Sequence, residues 1–275
     1  MKKLASMALA ALLMAAVFTG CASGNSAGNL SGTVSTNGST SMEKVIGILS
    51  EQFMLENSDV TVTYDATGSG TGIEAVINGT CDIGLASRGL KDEEKAKGLV
   101  ETTLALDGIA VIVNENCPVK DLSVEQIAAA FTGEVTDWSL WGGSGEIAAI
   151  GREAVSGTRD GFESITGTKD KCVLKQELTS NGAVIAAVQQ NAYAIGYASF
   201  ASVEGQQGIR VLTVNGVACT AENITDGSYA IRRPFNLITR EKGELGEAAK
   251  AFFDYMVSAD AAALIADAGA VPVNG

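Results

Sequence analysis

Three short segments rich in Gly, Ser and Thr have the composition of anion-binding turns. They read NGSTS at residues 37–41, GSGTG at residues 68–72 and SGT at residues 156–158. Each stands directly before a segment with the apolar spacing of a helix, so its hydroxyls can cap that helix while backbone N–H groups point outward. Such helix N-termini bind anions through their free N–H donors and the positive end of the helix dipole.

Each segment taken alone is more often an ordinary helix cap than a ligand site. None completes a stronger phosphate motif, because Ile73 stands where a GxGxxG sequence needs its third glycine and no GK[ST] sequence occurs. Arg152 lies four residues before Ser156. Because oxyanion recognition combines many short donors with a guanidinium fork, the three segments and this arginine together predict one oxyanion site.

The composition excludes several other functions. The chain has 275 residues, 46% of them apolar, and a net charge of −13, which opposes binding to nucleic acid or anionic lipid. It contains no histidine, so a Ser-His-Asp triad, a Cys-His pair and a His-ligated zinc site are all absent. We therefore expect a binding protein rather than an enzyme, with no metal, no cofactor and no nucleic-acid partner.

The N-terminal residues have the pattern of an export signal. Lys2 and Lys3 precede an apolar run at residues 4–18 that is short for a membrane span. We predict a signal peptide over residues 1–20 and a flexible tether rich in Gly, Ser and Asn over residues 21–30. The sequence FTGC at residues 18–21 resembles a bacterial lipobox, which would make Cys21 a lipid-modified N-terminus. An ordinary cleaved signal is the alternative.

Four further cysteines follow in the mature chain. They are Cys81, Cys117, Cys172 and Cys219, and no two of them form a CxxC pair. A zinc site is therefore not expected. Two disulfides are compatible with an exported protein, and buried free thiols are equally compatible.

Strand patterns and amphipathic helix patterns alternate along the mature chain. We predict strands near residues 60–64, 81–86, 108–113, 148–150, 193–197 and 209–214, and helices near residues 42–53, 184–188, 247–256 and 261–268. Alternation of this kind predicts an α/β fold with right-handed crossovers and mainly parallel sheets. The length suits two compact lobes.

The order of the motifs resembles the phosphate-binding lipoproteins of bacterial high-affinity phosphate ABC transporters. The resemblance rests on GSTS at residues 38–41, GSGTG at 68–72, DIGLASR at 82–88, REAVSGTR at 152–159 and AIGY at 194–197. It implies a type II periplasmic-binding-protein fold, in which two α/β lobes joined by a two-strand hinge enclose the ligand cleft. We place one lobe at residues 31–112 plus 231–275 and the other at residues 113–230.

The same resemblance implies which residues bind the anion. In the first lobe these are Ser39, Thr40, Ser41, Ser69 and Ser87, and in the second they are Arg152, Ser156, Gly157 and Thr158. Gly70 and Arg88 are secondary candidates, and Glu153 and Asp160 are candidate partners of Arg152. Some members of the family have aspartate at the position of Ser87, where it accepts the proton of hydrogen phosphate and excludes sulfate.

The function that follows is capture of inorganic phosphate and its delivery to an ABC permease. We expect a monomer anchored by lipid on Cys21 at the outer face of the cytoplasmic membrane. A receptor for sulfate, molybdate or another tetrahedral oxyanion could use the same donors. An exported phosphoester hydrolase is a further alternative, although we find neither a nucleophile with a base nor a metal cluster. A surface-structural lipoprotein would leave Arg152 and the three segments unexplained.

Overall fold

The computed structural model describes residues 30–274. The predicted signal peptide, Cys21 and the predicted tether as far as residue 29 lie outside the described residues. Within the described part of the chain, no helix is both long enough and apolar enough to cross a membrane.

Strands and helices alternate through the described residues. The strands are β1 (Ser31–Gly38), β2 (Asp59–Ala66), β3 (Ile83–Ala86), β4 (Leu99–Asn114), β5 (Asp121–Leu122), β6 (Ala148–Arg152), β7 (Gln176–Leu178), β8 (Ala194–Ser199), β9 (Ile209–Val211), β10 (Thr213–Val214), β11 (Arg232–Arg240) and β12 (Val271–Pro272). The helices are α1 (Glu43–Glu56), α2 (Ser69–Ile77), α3 (Asp92–Lys95), α4 (Val124–Thr132), α5 (Gly157–Thr166), α6 (Asn181–Gln190), α7 (Phe200–Val203), α8 (Ala221–Asp226), α9 (Glu247–Met256) and α10 (Ala262–Asp267). Short 3₁₀ turns occur at Thr40–Met42, Trp138–Trp141 and Ala259–Ala261.

One long strand links the two parts of the main sheet. The strand order is β2-β1-β3-β11-β4-β8-β6-β7, with β9 and β12 also paired to β4. Residues 99–108 of β4 pair with β11, and residues 109–113 pair with β8. The strand β4 therefore carries the chain from one part of the sheet into the other, and β11 lies beside it at the junction.

The prediction of mainly parallel sheets is wrong for half of the strand pairs. The pairs β1–β2, β1–β3, β6–β7, β6–β8 and β5–β10 are parallel, whereas every antiparallel pair includes β4 or β11. The reason is topological. Strand β4 takes the chain out of the first part of the fold and β11 brings it back alongside, so the two run in opposite directions.

The hydrophobic side chains form separate cores on the two sides of this junction. One core contains Ile109 and its neighbours as far as Val113, together with the stacked rings of Phe162 and Tyr197, whose centroids are 4.1 Å apart. Residues 30–107 and 232–274 supply two other clusters. We call these residues the first half and residues 108–231 the second half. The predicted lobe limits at residues 112/113 and 230/231 stay a prediction.

All four cysteines of the described chain are free thiols. Cys81, Cys117 and Cys219 are buried, and Cys172 is half-buried. Burial raises the pKa of Cys81 and of Cys172 to about 11 in each case, so both thiols are protonated at neutral pH. The cysteines therefore act as small apolar side chains here.

Candidate anion-binding site

The fold brings the three segments rich in Gly, Ser and Thr into one buried cluster between the halves. The Ser41 hydroxyl lies 2.9 Å from the Thr158 hydroxyl, and the Ser69 hydroxyl lies 3.2 Å from that of Ser87. Gly157 packs directly on the second pair, because a β-carbon there would be 2.2 Å from Ser69 Oγ and 2.6 Å from Ser87 Oγ. Residues more than 100 positions apart in sequence thus form a single polar cluster.

Ser39 holds the first turn in place. Its hydroxyl accepts a hydrogen bond from the Ser41 N–H at 3.2 Å, and its carbonyl accepts one from the Tyr64 hydroxyl at 2.6 Å. Gly38 precedes it with a φ of +142°, and a β-carbon there would lie 2.1 Å from the Leu85 carbonyl oxygen. Only glycine permits this approach of β1 to β3. The side chain of Ser39 therefore supports the turn that presents Thr40 and Ser41.

Ser156 has the corresponding role at the start of α5. Its hydroxyl accepts hydrogen bonds from the N–H groups of Thr158 and Arg159, at 3.2 and 3.3 Å. This is the ordinary N-cap geometry, in which a side-chain oxygen satisfies donors of the first helical turn. The cap occupies the Thr158 N–H and leaves the Thr158 hydroxyl facing Ser41.

Arg152 is a buried guanidinium with one unused nitrogen. Its Nε and Nη2 donate to the two carboxylate oxygens of Glu153, at 3.1 and 2.8 Å, and to the carbonyls of Leu178 and Thr179, both at 3.0 Å. Its Nη1 is buried and has no hydrogen-bond partner. Because a buried donor without a partner is costly, Nη1 is the group of Arg152 suited to an anionic acceptor. Of the two acidic candidates, Glu153 is the partner of Arg152.

The two secondary candidates form contacts between the halves. The Gly70 N–H donates to the Val155 carbonyl at 3.0 Å. Arg88 makes two hydrogen bonds to Glu94, at 2.8 and 2.7 Å, and its Nε lies 3.7 Å from an Asp160 carboxylate oxygen. Both groups thus have protein acceptors, and they join the first half to the second.

Asn181 belongs to the cluster and was not predicted. Its amide nitrogen donates to the hydroxyls of Thr40 and Ser41, at 3.1 and 3.0 Å, and its amide oxygen accepts from the Ser199 N–H at 3.0 Å. The sequence carried a signal for it, since SNG at residues 180–182 precedes the predicted helix near residues 184–188 as the other three segments precede theirs.

Arg233 and Asp107 form a buried ion pair that the sequence analysis also missed. The two residues are directly opposite in the β4–β11 ladder, and Arg233 Nη2 lies 2.9 Å from Asp107 Oδ2. Arg233 also donates to the hydroxyls of Ser41 and Ser87, at 2.9 and 3.2 Å. Burial raises the pKa of Asp107 and lowers the pKa of Arg233, and the charge of each partner opposes these shifts.

The cluster is suited to binding a tetrahedral oxyanion without a metal. Its donors are the hydroxyls of five residues, one side-chain amide and one guanidinium group, contributed by Thr40, Ser41, Ser69, Ser87, Thr158, Asn181 and Arg233. The buried Nη1 of Arg152 is a further donor, and it has no protein acceptor. Among residues 30–274, no three His, Cys, Asp or Glu side chains are placed to hold a metal ion. Two surface cavities of about 470 and 390 Å³ border the cluster, one lined in part by Thr40 and Asn181 and the other by Gly70 and Ser156.

Two α/β halves that enclose a donor-lined cluster define a two-lobed binding protein. Residues 23–260 match the family model described as a PBP superfamily domain. The chain is 32% identical over 244 residues to the phosphate-binding protein PstS of Bacillus subtilis, covering 86% of this chain and 80% of that protein. It is 28% identical to the PstS protein of Borreliella burgdorferi, over 86% of this chain and 88% of the relative.

Solved structures show the same fold. A phosphate ABC transporter substrate-binding protein from Clostridium perfringens, with phosphate bound, is 37% identical with a TM-score of 0.84, covering 88% of this chain and all of that chain. An ABC-type phosphate transport receptor from Vibrio cholerae is 31% identical with a TM-score of 0.72, covering 86% and 99% of the two chains. The chain belongs to the PBP superfamily, and within it to the family of the PstS phosphate-binding proteins. The predicted periplasmic-binding-protein fold is confirmed.

Proposed function

We propose that this protein captures inorganic phosphate between its two halves and delivers it to the permease of an ABC importer. The observation that carries the proposal is the buried Nη1 of Arg152, which lacks a protein acceptor in a cluster of hydroxyl and amide donors. Relatives and structural neighbours that are named for phosphate binding and phosphate transport support the choice of ligand and of partner.

The proposed contacts divide between the halves. Thr40, Ser41, Ser69 and Ser87 bind the anion from the first half, and Arg152, Gly157 and Thr158 bind it from the second. Ser39 and Ser156 act through the turns that they cap. Since donors from both halves converge on one ligand, phosphate binding favours the arrangement in which the halves are in contact.

The location of the protein follows from its N-terminal sequence. We propose that the signal peptide directs export and that lipid on Cys21 anchors the chain at the outer face of the cytoplasmic membrane. In the sequence, the predicted tether over residues 21–30 connects Cys21 to β1. The protein is proposed to work as a monomer. Labelling with a radioactive fatty acid tests the anchor, because Cys21→Ser abolishes the label if Cys21 is the modified residue.

Isothermal titration calorimetry of the mature chain, beginning at residue 21, tests the ligand. We expect saturable phosphate binding at micromolar concentrations, and we expect Arg152→Met to remove most of it. Arg210→Met is the matched control, because Arg210 also belongs to the second half but donates to the carbonyls of Glu115 and Cys117. Absence of phosphate binding by the unmodified chain would refute the proposed function.

A further inference from the structure

Arg233 is fixed by its carboxylate partner so that one edge of its guanidinium faces the anion-binding cluster. Its Nε and Nη2 donate to Asp107 Oδ2 at 3.1 and 2.9 Å. The two terminal nitrogens also reach the cluster, where Nη2 donates its second hydrogen to Ser41 Oγ and Nη1 donates to Ser87 Oγ. Arg233 is 4% exposed and Asp107 is fully buried, so neither side chain is a solvated surface group.

Asp107 has no acceptor capacity left for a ligand. Its Oδ1 accepts from the Ser199 hydroxyl at 2.9 Å and from the Ala201 N–H at 3.4 Å, and its Oδ2 accepts twice from Arg233. These four bonds use the four lone-pair positions of a carboxylate. Asp107 therefore positions the guanidinium of Arg233, and neither of its carboxylate oxygens is left to accept a hydrogen bond from a ligand.

Arg152 is held in the same way on the other side. Glu153 accepts from its Nε and Nη2, which leaves Nη1 without a partner. Burial lowers the pKa of Arg233, the ion pair with Asp107 opposes this shift, and the charge of Arg152 adds to it. Each guanidinium is thus paired with a carboxylate; Arg233 also donates to the hydroxyls of Ser41 and Ser87, while Nη1 of Arg152 stays buried without a protein acceptor.

We propose that Arg233 is a second guanidinium of the anion site, positioned by Asp107, and that with Arg152 it makes the site specific for the doubly charged form of phosphate. The inference rests on the proposed function. Monohydrogen phosphate carries one O–H group, for which the hydroxyl oxygens of Ser69 and Ser87 are acceptors. Dihydrogen phosphate carries two O–H groups and one charge fewer, so one of them would face a donor.

The experiment compares phosphate binding by the mature chain with binding by the double variant Asp107→Asn/Arg233→Gln. The double variant removes both buried charges at once, keeps polar side chains at both positions and leaves the net charge unchanged. Arg232→Gln is the control, because Arg232 is the exposed neighbour on the same strand and donates to the Ile224 carbonyl. Calorimetry is done at about pH 6 and about pH 8, on either side of the second ionisation of phosphate.

The charged and titratable groups that act on Arg233 come from three strands. They are Asp107 on β4, Arg152 on β6 and Tyr197 on β8, and burial raises the pKa of Tyr197 well above neutrality. The described chain contains no histidine. Because histidine is the side chain that ordinarily titrates between about pH 5 and 8, a difference between the two pH values reports the charge of the ligand.

We expect the double variant to bind phosphate with an affinity about 10- to 100-fold lower, because it loses one or two charge-assisted hydrogen bonds to the ligand. In the unmodified chain the affinity for total phosphate rises from about pH 6 to about pH 8, and the double variant shows a smaller rise. Binding by the double variant within about twofold of the unmodified chain overturns the role of Arg233. Equal affinities of the unmodified chain at the two pH values overturn the specificity for the dianion.

A second variant keeps the test decisive if the double variant does not fold. Arg233→Lys retains the charge, but a single ammonium cannot bridge Asp107, Ser41 and Ser87 as the guanidinium does. We expect a folded protein that binds phosphate at least tenfold more weakly, and unchanged binding contradicts the proposal. Absence of phosphate binding by the unmodified chain refutes the proposed function instead, so the two failures are distinguishable.

Discussion

Gly157→Ala is predicted to prevent close contact between the halves without harming the fold. The new β-carbon would lie 2.2 Å from Ser69 Oγ and 2.6 Å from Ser87 Oγ. Both hydroxyls belong to buried side chains of the first half, and Ser69 Oγ also accepts the Ser87 N–H at 3.0 Å. They therefore cannot rotate away freely. The second half must instead withdraw by about 1 Å to restore an ordinary van der Waals distance.

The size of the effect follows from the hydrogen bonds that cross between the halves. These include Ser41 with Thr158, the two bonds from Asn181 to Thr40 and Ser41, and Gly70 with Val155. Loss of two such bonds at about 1 kcal/mol each weakens phosphate binding by about 2 kcal/mol, or about 30-fold. The folding of the second half itself should not be weakened, because alanine is favoured over glycine in a helix by up to about 1 kcal/mol.

The assay pairs calorimetry with thermal unfolding, and Gly182→Ala is the matched control. Gly182 lies in the first turn of α6, as Gly157 lies in the first turn of α5, but a β-carbon there would be 4.0 Å from its nearest neighbour, Ser180 Oγ. We expect the control to bind phosphate normally. Normal binding by Gly157→Ala would refute the reasoning, and so would a loss of stability that accounts for weaker binding.

Four further predictions concern charge and selectivity. Arg152→Met should weaken phosphate binding at least about 100-fold in calorimetry, because it removes a buried charge-assisted donor. Ser87→Asp should reduce sulfate competition at least about tenfold, because a carboxylate there would accept the proton of hydrogen phosphate and repel sulfate, which has no proton to donate. The new carboxylate would lie close to Arg233 Nη1, which is now 3.2 Å from Ser87 Oγ. Affinity for phosphate should depend only weakly on salt, because fixed donors act at contact distance while long-range repulsion by the acidic chain is screened. Glu94→Gln should lessen the loss of stability in acid. Burial raises the pKa of Glu94, but hydrogen bonds from Arg88 and from the Lys91 N–H outweigh burial and lower the pKa below its value in the unfolded chain. The Glu94 carboxylate therefore stabilises the fold above the unfolded-state pKa, and this stabilisation is lost as the pH falls through the folded-state pKa.

Each of these four has a result that would contradict it. Near-normal binding by Arg152→Met would remove the guanidinium from the site, and unchanged sulfate competition in Ser87→Asp would show that selectivity lies elsewhere. A steep loss of affinity with added salt would indicate a basic collecting surface. For Glu94→Gln, the melting temperature is followed from neutral pH to about pH 3, and a fall as large as that of the unmodified chain would count against the Arg88 ion pair.

Local sequence predicted the turns of the site because their chemistry is local. Ser156 caps α5, and Ser39 caps the 3₁₀ turn that precedes α1. In both caps the serine hydroxyl accepts from N–H groups two or three residues further along the chain. The strands β3, β6 and β8 were predicted from short apolar runs for the same reason. By contrast β11 begins with RRPFN, which has neither a run nor an alternation of apolar residues, and it was missed together with Arg233.

The partners of the charged side chains could not be derived from sequence. Asp107 and Arg233 are 126 residues apart, and they meet because β11 returns beside β4 in one particular register. Arg88 is a secondary ligand candidate from the sequence, and the position of α3 gives it Glu94 as an ion-pair partner. A register is the sum of many backbone and side-chain contacts along both strands, so no single residue discloses it.

The amino-acid sequence alone specifies the chemistry available to this protein: the chain is acidic and lacks histidine, its N-terminal residues have the pattern of an export signal, and its helix-capping turns are rich in hydroxyls. Only the tertiary structure brings those hydroxyls into one site and adds Asn181 and Arg233 to them. It also pairs Asp107 with the guanidinium of Arg233 and Glu153 with that of Arg152. The physical reason is range. A helix cap acts over three or four residues, whereas a binding site between two halves forms only when distant segments pack together.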